Sequence, residues 1–105
     1  MKTIHKVNGE LRRTTVDCHS QDGTIKVSFG GVLYRSIASQ YGNQTGVAIF
    51  VKDDRVAGGW YQRDLLDTSH DKRLNNPTRG NLRTVLKEYI RTNYPTLVIP
   101  RRADW

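Results

Sequence analysis

Only one stretch of the chain repeats its apolar residues at helical period. Leu82, Val85, Leu86, Tyr89 and Ile90 recur at spacings of three and four, which predicts an amphipathic helix. Asn81 supplies an N-cap, Gly80 is unfavourable inside a helix, and Pro95 stops the pattern near Asn93, so the predicted span is about 82–93.

Everywhere else the pattern is one of short apolar runs broken by turn residues. Asn8-Gly9 sits between two runs with β-branched residues and reads as a type I′ hairpin turn, with strands at about 3–7 and 10–16. Asp22-Gly23 opens a further strand, TIKVSF, and Gly30-Gly31 reads as another two-residue hairpin returning through Val32, Leu33 and Tyr34. Ser36 then caps a short helix, IASQY, that ends at Gly42 and buries Ile37, Ala38 and Tyr41. VAIFV (47–51) is a strand or a buried helical turn, because so short an apolar run carries no period. A turn at Lys52-Asp53-Asp54 leads to a second short strand that bends at Gly58-Gly59 beside Trp60. RDLLD (63–67) reads as one helical turn, TLVIP (96–100) as an edge strand.

These elements define an α+β fold: a small antiparallel sheet of four to six short strands, a short middle helix and an amphipathic C-terminal helix. With 105 residues the chain is expected to form one small domain over 1–100, with 101–105 as a mobile tail. No run approaches the roughly 20 apolar residues of a spanning helix, and MKTIHKVNGE lacks the apolar core of a signal peptide. The expected location is therefore cytoplasmic, away from membranes. A single cysteine, Cys18, excludes an internal disulfide.

Charge changes the picture more than any motif. The net charge is +7, and its placement is uneven. Residues 1–71 hold nine Lys or Arg against eight Asp or Glu; residues 72–105 hold Lys72, Arg73, Arg79, Arg83, Lys87, Arg91, Arg101 and Arg102 against Glu88 and Asp104. Clustered cations sum their fields and displace counterions from phosphates, so the asymmetry points to a polyanion met through one region. Eleven of the seventeen cations are arginine, whose planar fork suits phosphate and base edges. Arg83, Lys87 and Arg91 share one helix face because four residues advance 400°. Like charges at that spacing repel, and no carboxylate interrupts the row. Lys72, Arg73, Arg79, Arg101 and Arg102 extend it. Tyr34, Tyr41, Phe50, Trp60, Tyr61, Tyr89, Tyr94 and Trp105 offer a second route, a stacking platform for single strands, if some of them lie exposed.

The segments IKVSFGGVLYRSIASQYG and DRVAGGWYQRDLLD carry Phe29, Tyr34, Ser36, Ala38, Gly42, Arg55, Val56, Gly59, Trp60 and Leu65 in an order that resembles the short helix-turn-helix modules of phage genomes associated with homing endonucleases. The resemblance covers about residues 25–67 and departs from the pattern between Gly42 and Arg55, where the insert is longer and strand-like. It implies DNA binding, with the segment before Trp60 as recognition element.

No nucleophile elbow, phosphate loop or metalloprotease motif occurs, and Cys18-His19 lacks the further ligands that zinc requires. Asp53-Asp54 reads as a pair of turn residues. The expectation is a non-catalytic protein without metal or cofactor that binds DNA or RNA, as a phage or mobile-element regulator. The alternative is an inhibitor or adaptor that docks the same basic face on an acidic protein surface, of the phage counter-defence type. A third reading is a metal-independent ribonuclease using His70, Arg73 and Tyr89.

Overall fold

In a computed structural model of the chain, residues 9–38 and 42–101 are described, with the side chains of 36–38 and 42–44 set aside. Four antiparallel strands follow one another as a meander: β1 (Glu10–His19), β2 (Lys26–Ala38), β3 (Gly42–Asp53) and β4 (Tyr61–Asp67). A 3₁₀ turn (Lys72–Asn75) precedes the helix α1 (Arg79–Asn93). The architecture is α+β, as the sequence pattern predicts.

Consecutive strands pair as neighbours, and the described connections, β1–β2 and β3–β4, are short. Asp22 builds the first one: its carboxylate accepts from the Ser20 hydroxyl, the Thr24 amide and the Thr24 hydroxyl, while Gly23 takes a φ of +77°. The β3–β4 turn needs two residues of positive φ, and Gly58 and Gly59 provide them. These two glycines thus make the turn itself rather than a bend within a strand. Gly9 also has positive φ, +73°, and its carbonyl accepts from the Arg35 amide.

Several local expectations are overturned. Gly30 and Gly31 do not turn; β2 runs straight through them and pairs with both neighbours, Gly30 opposite Thr15 and Phe50, Gly31 opposite Thr14 and Ile49. The predicted middle helix is replaced by strand: residues 36–38 end β2 and β3 begins at Gly42, with Ser39–Tyr41 outside the described residues. RDLLD is the body of β4, and VAIFV lies within β3. TLVIP contributes a single antiparallel bridge, Val98 to His19. The predicted strand at 3–7 lies outside the described residues. Among the described residues no helix forms between 25 and 67, so the positions behind the helix-turn-helix resemblance lie on strands and turns.

The reason lies in the packing of two sheet faces. On one face Val16, Phe29, Val47, Ile49 and Val51 meet the buried side of α1. On the other, Val32, Ala48 and Phe50 form a second buried group with Tyr34 and Trp60 packed against it. β3 is therefore apolar at every position from Val47 to Val51, which erases the two-residue period of a half-exposed strand.

Helix α1 lies along the first face in the sense of β1. Its start is held where Arg12 Nε donates to the Pro77 carbonyl, Leu86 sits over Gly31, and Tyr94 meets Phe29 edge-to-face at a centroid distance of 4.9 Å. A Cβ at Gly31 would stand 3.5 Å from a Leu86 methyl, in ordinary van der Waals contact, so Leu86 packs directly on β2 at this position.

Two stability outcomes follow. Leu86→Ala should lower unfolding free energy by about 3 kcal/mol in denaturant titration, since it empties a fully buried site over Gly31. Gly9→Ala should cost about 2 kcal/mol, because an added Cβ would come 2.3 Å from the Arg35 carbonyl oxygen at a φ that L-residues avoid.

Candidate nucleic-acid interface

The helix that carries the basic row is longer than its sequence pattern predicts. Thr78, not Asn81, is the N-cap: its hydroxyl accepts from the Asn81 amide at 3.1 Å. Asn81 instead turns its side-chain amide to the Arg73 and Asn76 carbonyls and ties the preceding loop to the first turn. Gly80 lies in that first turn. Arg79 consequently belongs to the helix, and Arg79, Arg83, Lys87 and Arg91 form one row along its whole length.

Four residues exceed a full turn by 40°, so the row winds from the border of the buried stripe to the outer face. Arg79 and Arg91 are exposed, whereas Arg83 and Lys87 are half-buried. The buried stripe of Leu82, Val85, Leu86, Tyr89 and Ile90 fixes the rotation of the helix about its axis. Tyr89 reaches β4, where its hydroxyl donates to Asp64 at 3.1 Å. Asn81, Glu88 and Tyr89 thus mark the flank turned toward β4 and residues 71–77, and the cations occupy the other flank.

Arg73 is held apart from the row. Its Nε and Nη2 donate to the two Asp71 oxygens at 2.9 and 2.7 Å, and its Nη1 donates to Glu88 at 2.7 Å. Asp71 also caps the 3₁₀ turn by accepting from the Arg73 amide. The guanidinium holds the Asp71 carboxyl below the usual carboxylate range, and the two carboxylates raise the Arg73 pKa in return. The pairing engages Glu88, the only carboxylate of α1, with the 3₁₀ turn.

The remaining residues of the basic set spread outward. Lys72 is exposed on the 3₁₀ turn and Arg101 is exposed at the last described position. Arg102 lies outside the described residues. Sequence reasoning missed Arg12, which is exposed on β1 and bonded to the Pro77 carbonyl beside the start of α1. A count over the near-neutral first 71 residues gives no sign of it, because its position depends on how helix and sheet dock.

Among the described residues the aromatics do not form one platform on the open sheet face; Tyr41 and Trp105 lie outside the described residues. Phe50 is buried, Tyr34 and Trp60 pack against its cluster, and Tyr89 is in the core. Tyr61, 39% exposed, and Tyr94, half-buried, stand instead on the helix side of the sheet. The Tyr94 hydroxyl accepts from Arg63 Nε at 2.9 Å.

Of the residues behind the third reading, Arg73 and Tyr89 are engaged with carboxylates. Arg73 is committed to two carboxylates. The Tyr89 hydroxyl is spent on Asp64, and burial with that contact pushes its pKa up to about 12. His70 is exposed on the loop. Cys18 is in the core, where burial, assisted by the Asp17 charge, pushes the thiol up to about 11. Asp53 works as a turn residue, accepting from the Arg55 amide and forming a fork pair with its guanidinium. No helix among the described residues is long and apolar enough to cross a membrane. Comparison with protein-family models, with curated proteins and with solved structures gives no match.

The Arg73 cluster has a definite pH dependence. Asp71 has a depressed folded-state pKa, so its contribution is present above the unfolded value near 4 and is lost as pH falls through the folded one. Asp71→Asn keeps the capping oxygen and removes the charge. It should lower stability by less than about 1 kcal/mol at pH 7, given a pair partly open to water. In thermal melts from pH 7 to pH 2 the gap to the native chain should close; a constant gap would place the effect in the cap.

Proposed function

We propose that the chain is a non-catalytic nucleic-acid-binding protein that holds a phosphate backbone along the cationic flank of α1. The observation that carries this reading is the segregation of charge on that helix. Arg79, Arg83, Lys87 and Arg91 follow one another at four-residue intervals with no carboxylate in the row, while the one carboxylate of α1, Glu88, is paired with Arg73.

Four cations in a row repel one another by a few tenths of a kcal/mol per neighbouring pair, and a helix needing only a wet face would mix signs. The apolar stripe supplies stability enough to tolerate that repulsion. A polyanion removes it and releases counterions from its own phosphates on binding. Three of the four cations are arginines, which bind phosphate oxygens with two parallel donors. Arg12 and Lys72 extend the field around the helix start. Phosphate contacts of this kind position a nucleic acid without reading its sequence. The reading extends to a regulator of a phage or another mobile element.

Binding to a single-stranded or duplex probe should weaken steeply with salt. Arg79→Ala together with Arg91→Ala, both exposed residues outside the core, should reduce the slope of log K against log[salt] by about 1.4 to 1.8 while melting temperature stays within a few degrees. A double variant with wild-type affinity and slope would remove α1 from the interface.

A further inference from the structure

At the C-terminal end of α1 the chain encloses a pocket of about 340 Å³ that the phosphate row does not use. Its apolar side is built from Ile25, Val27, Val51 and Leu97. Tyr61 and Tyr94 line it as well, and Asp53 and Arg55 bring charge to the rim. We propose that this pocket receives one unpaired nucleobase of a strand whose phosphates lie on α1. The proposal rests on the phosphate reading above.

The placement of the aromatics supports it. Tyr61 is the first residue of β4 and pairs with Val51, in the row that continues through Phe29 to Val16; its ring therefore stands on the helix face. Tyr94 caps α1 three residues beyond Arg91, so the pocket lies within one helical turn of the last cation of the row. Phe29 supports the Tyr94 ring edge-to-face, and Arg63 holds its hydroxyl. Tyr94 is thus a held aromatic side chain and Tyr61 a more exposed one, and stacking on a held ring costs little entropy.

The polar groups select among flat ligands. An aliphatic ligand would desolvate Asp53 and Arg55 without bonding them, at a cost. A base presents a π-face to tyrosine and a donor-and-acceptor edge to a carboxylate and a guanidinium. The fork pair between Asp53 and Arg55 leaves the second terminal nitrogen of Arg55 outside the pair, and the guanidinium side chain is 60% exposed. Gln21 donates to the Thr96 carbonyl at 2.7 Å and closes the wall between the β1–β2 turn and the segment after α1. The volume lies in the range of small-ligand sites. A paired base in a duplex is stacked on both sides and cannot enter, so the site discriminates strandedness.

The test uses the full chain and a twelve-nucleotide single strand carrying 2-aminopurine, alone or annealed to its complement. Fluorescence anisotropy over a salt series reads affinity, and 2-aminopurine emission reads stacking. The single strand should bind about tenfold more tightly than the duplex, with a change in emission. Tyr61→Ala, at an exposed edge position, should remove about tenfold in single-strand affinity and the emission change while leaving the salt slope unaltered, and Tyr61→Phe should retain both. Equal affinities for single strand and duplex, or a Tyr61→Ala variant that binds like wild type, overturn the pocket proposal and leave the phosphate reading standing. If neither probe shows salt-dependent binding, the phosphate reading fails, and titration with adenosine and cytidine monophosphates decides the pocket by itself. Saturable shifts of the Val51, Thr96 and Leu97 amide resonances uphold it, and their absence overturns it.

Discussion

The contact on which the rest depends is Leu86 against Gly31. A helix set on a sheet is free in principle to slide and to roll; here a fully buried leucine packs on β2 at Gly31 within a close-packed core, and that packing opposes both movements. Leu82, Val85, Tyr89 and Ile90 follow from it, since they lie on the same stripe and meet β1, β2 and β3 residues. Once the roll is fixed, every outward residue has its direction. The cations take one flank because the other is occupied by Asn81, Glu88 and Tyr89, each bonded to a neighbouring segment.

Charge is sorted by the same constraint. Arg73 could have belonged to the basic surface, yet the docking of the 3₁₀ turn against the first turns of α1 brings it to Glu88 and Asp71. Arg73 and Glu88 thus neutralise each other beside the row. The pair is partly exposed and adds little stability, so its main consequence is the shape of the field. The end of the helix is handled differently. There Tyr94 stops the helix, packs on Phe29 and bonds Arg63, and the chain turns back toward His19, leaving a walled space between this return and the ends of β3 and β4.

How far the sequence discloses all this can be judged residue by residue. The α1 stripe was legible because its period is long and unambiguous, and Asp22-Gly23 because a left-handed turn position has few residue solutions. Gly30-Gly31 misled: the pair has the turn composition, but β2 pairs with both neighbours across it, and Gly31 lies under Leu86, 55 residues later in the chain. VAIFV stayed ambiguous because both faces of β3 are covered, a fact of the second layer of packing and not of local preference. The cap of α1 was placed three residues late since Thr78 and Asn81 are both good caps, and the choice fell to Asn81 being needed by the Arg73 and Asn76 carbonyls.

By itself, then, the sequence determined an α+β chain with one amphipathic helix near its end, a cationic excess confined to the last third and a row of cations at four-residue spacing. Those properties follow from composition and period, which survive whatever the chain does elsewhere. The tertiary structure decided that β2 is unbroken, that Arg73 faces carboxylates while Arg12 joins the start of α1, and that Tyr61 and Tyr94 line one pocket. Each of these depends on contacts between residues far apart in sequence, where no local pattern records which partner a side chain will meet.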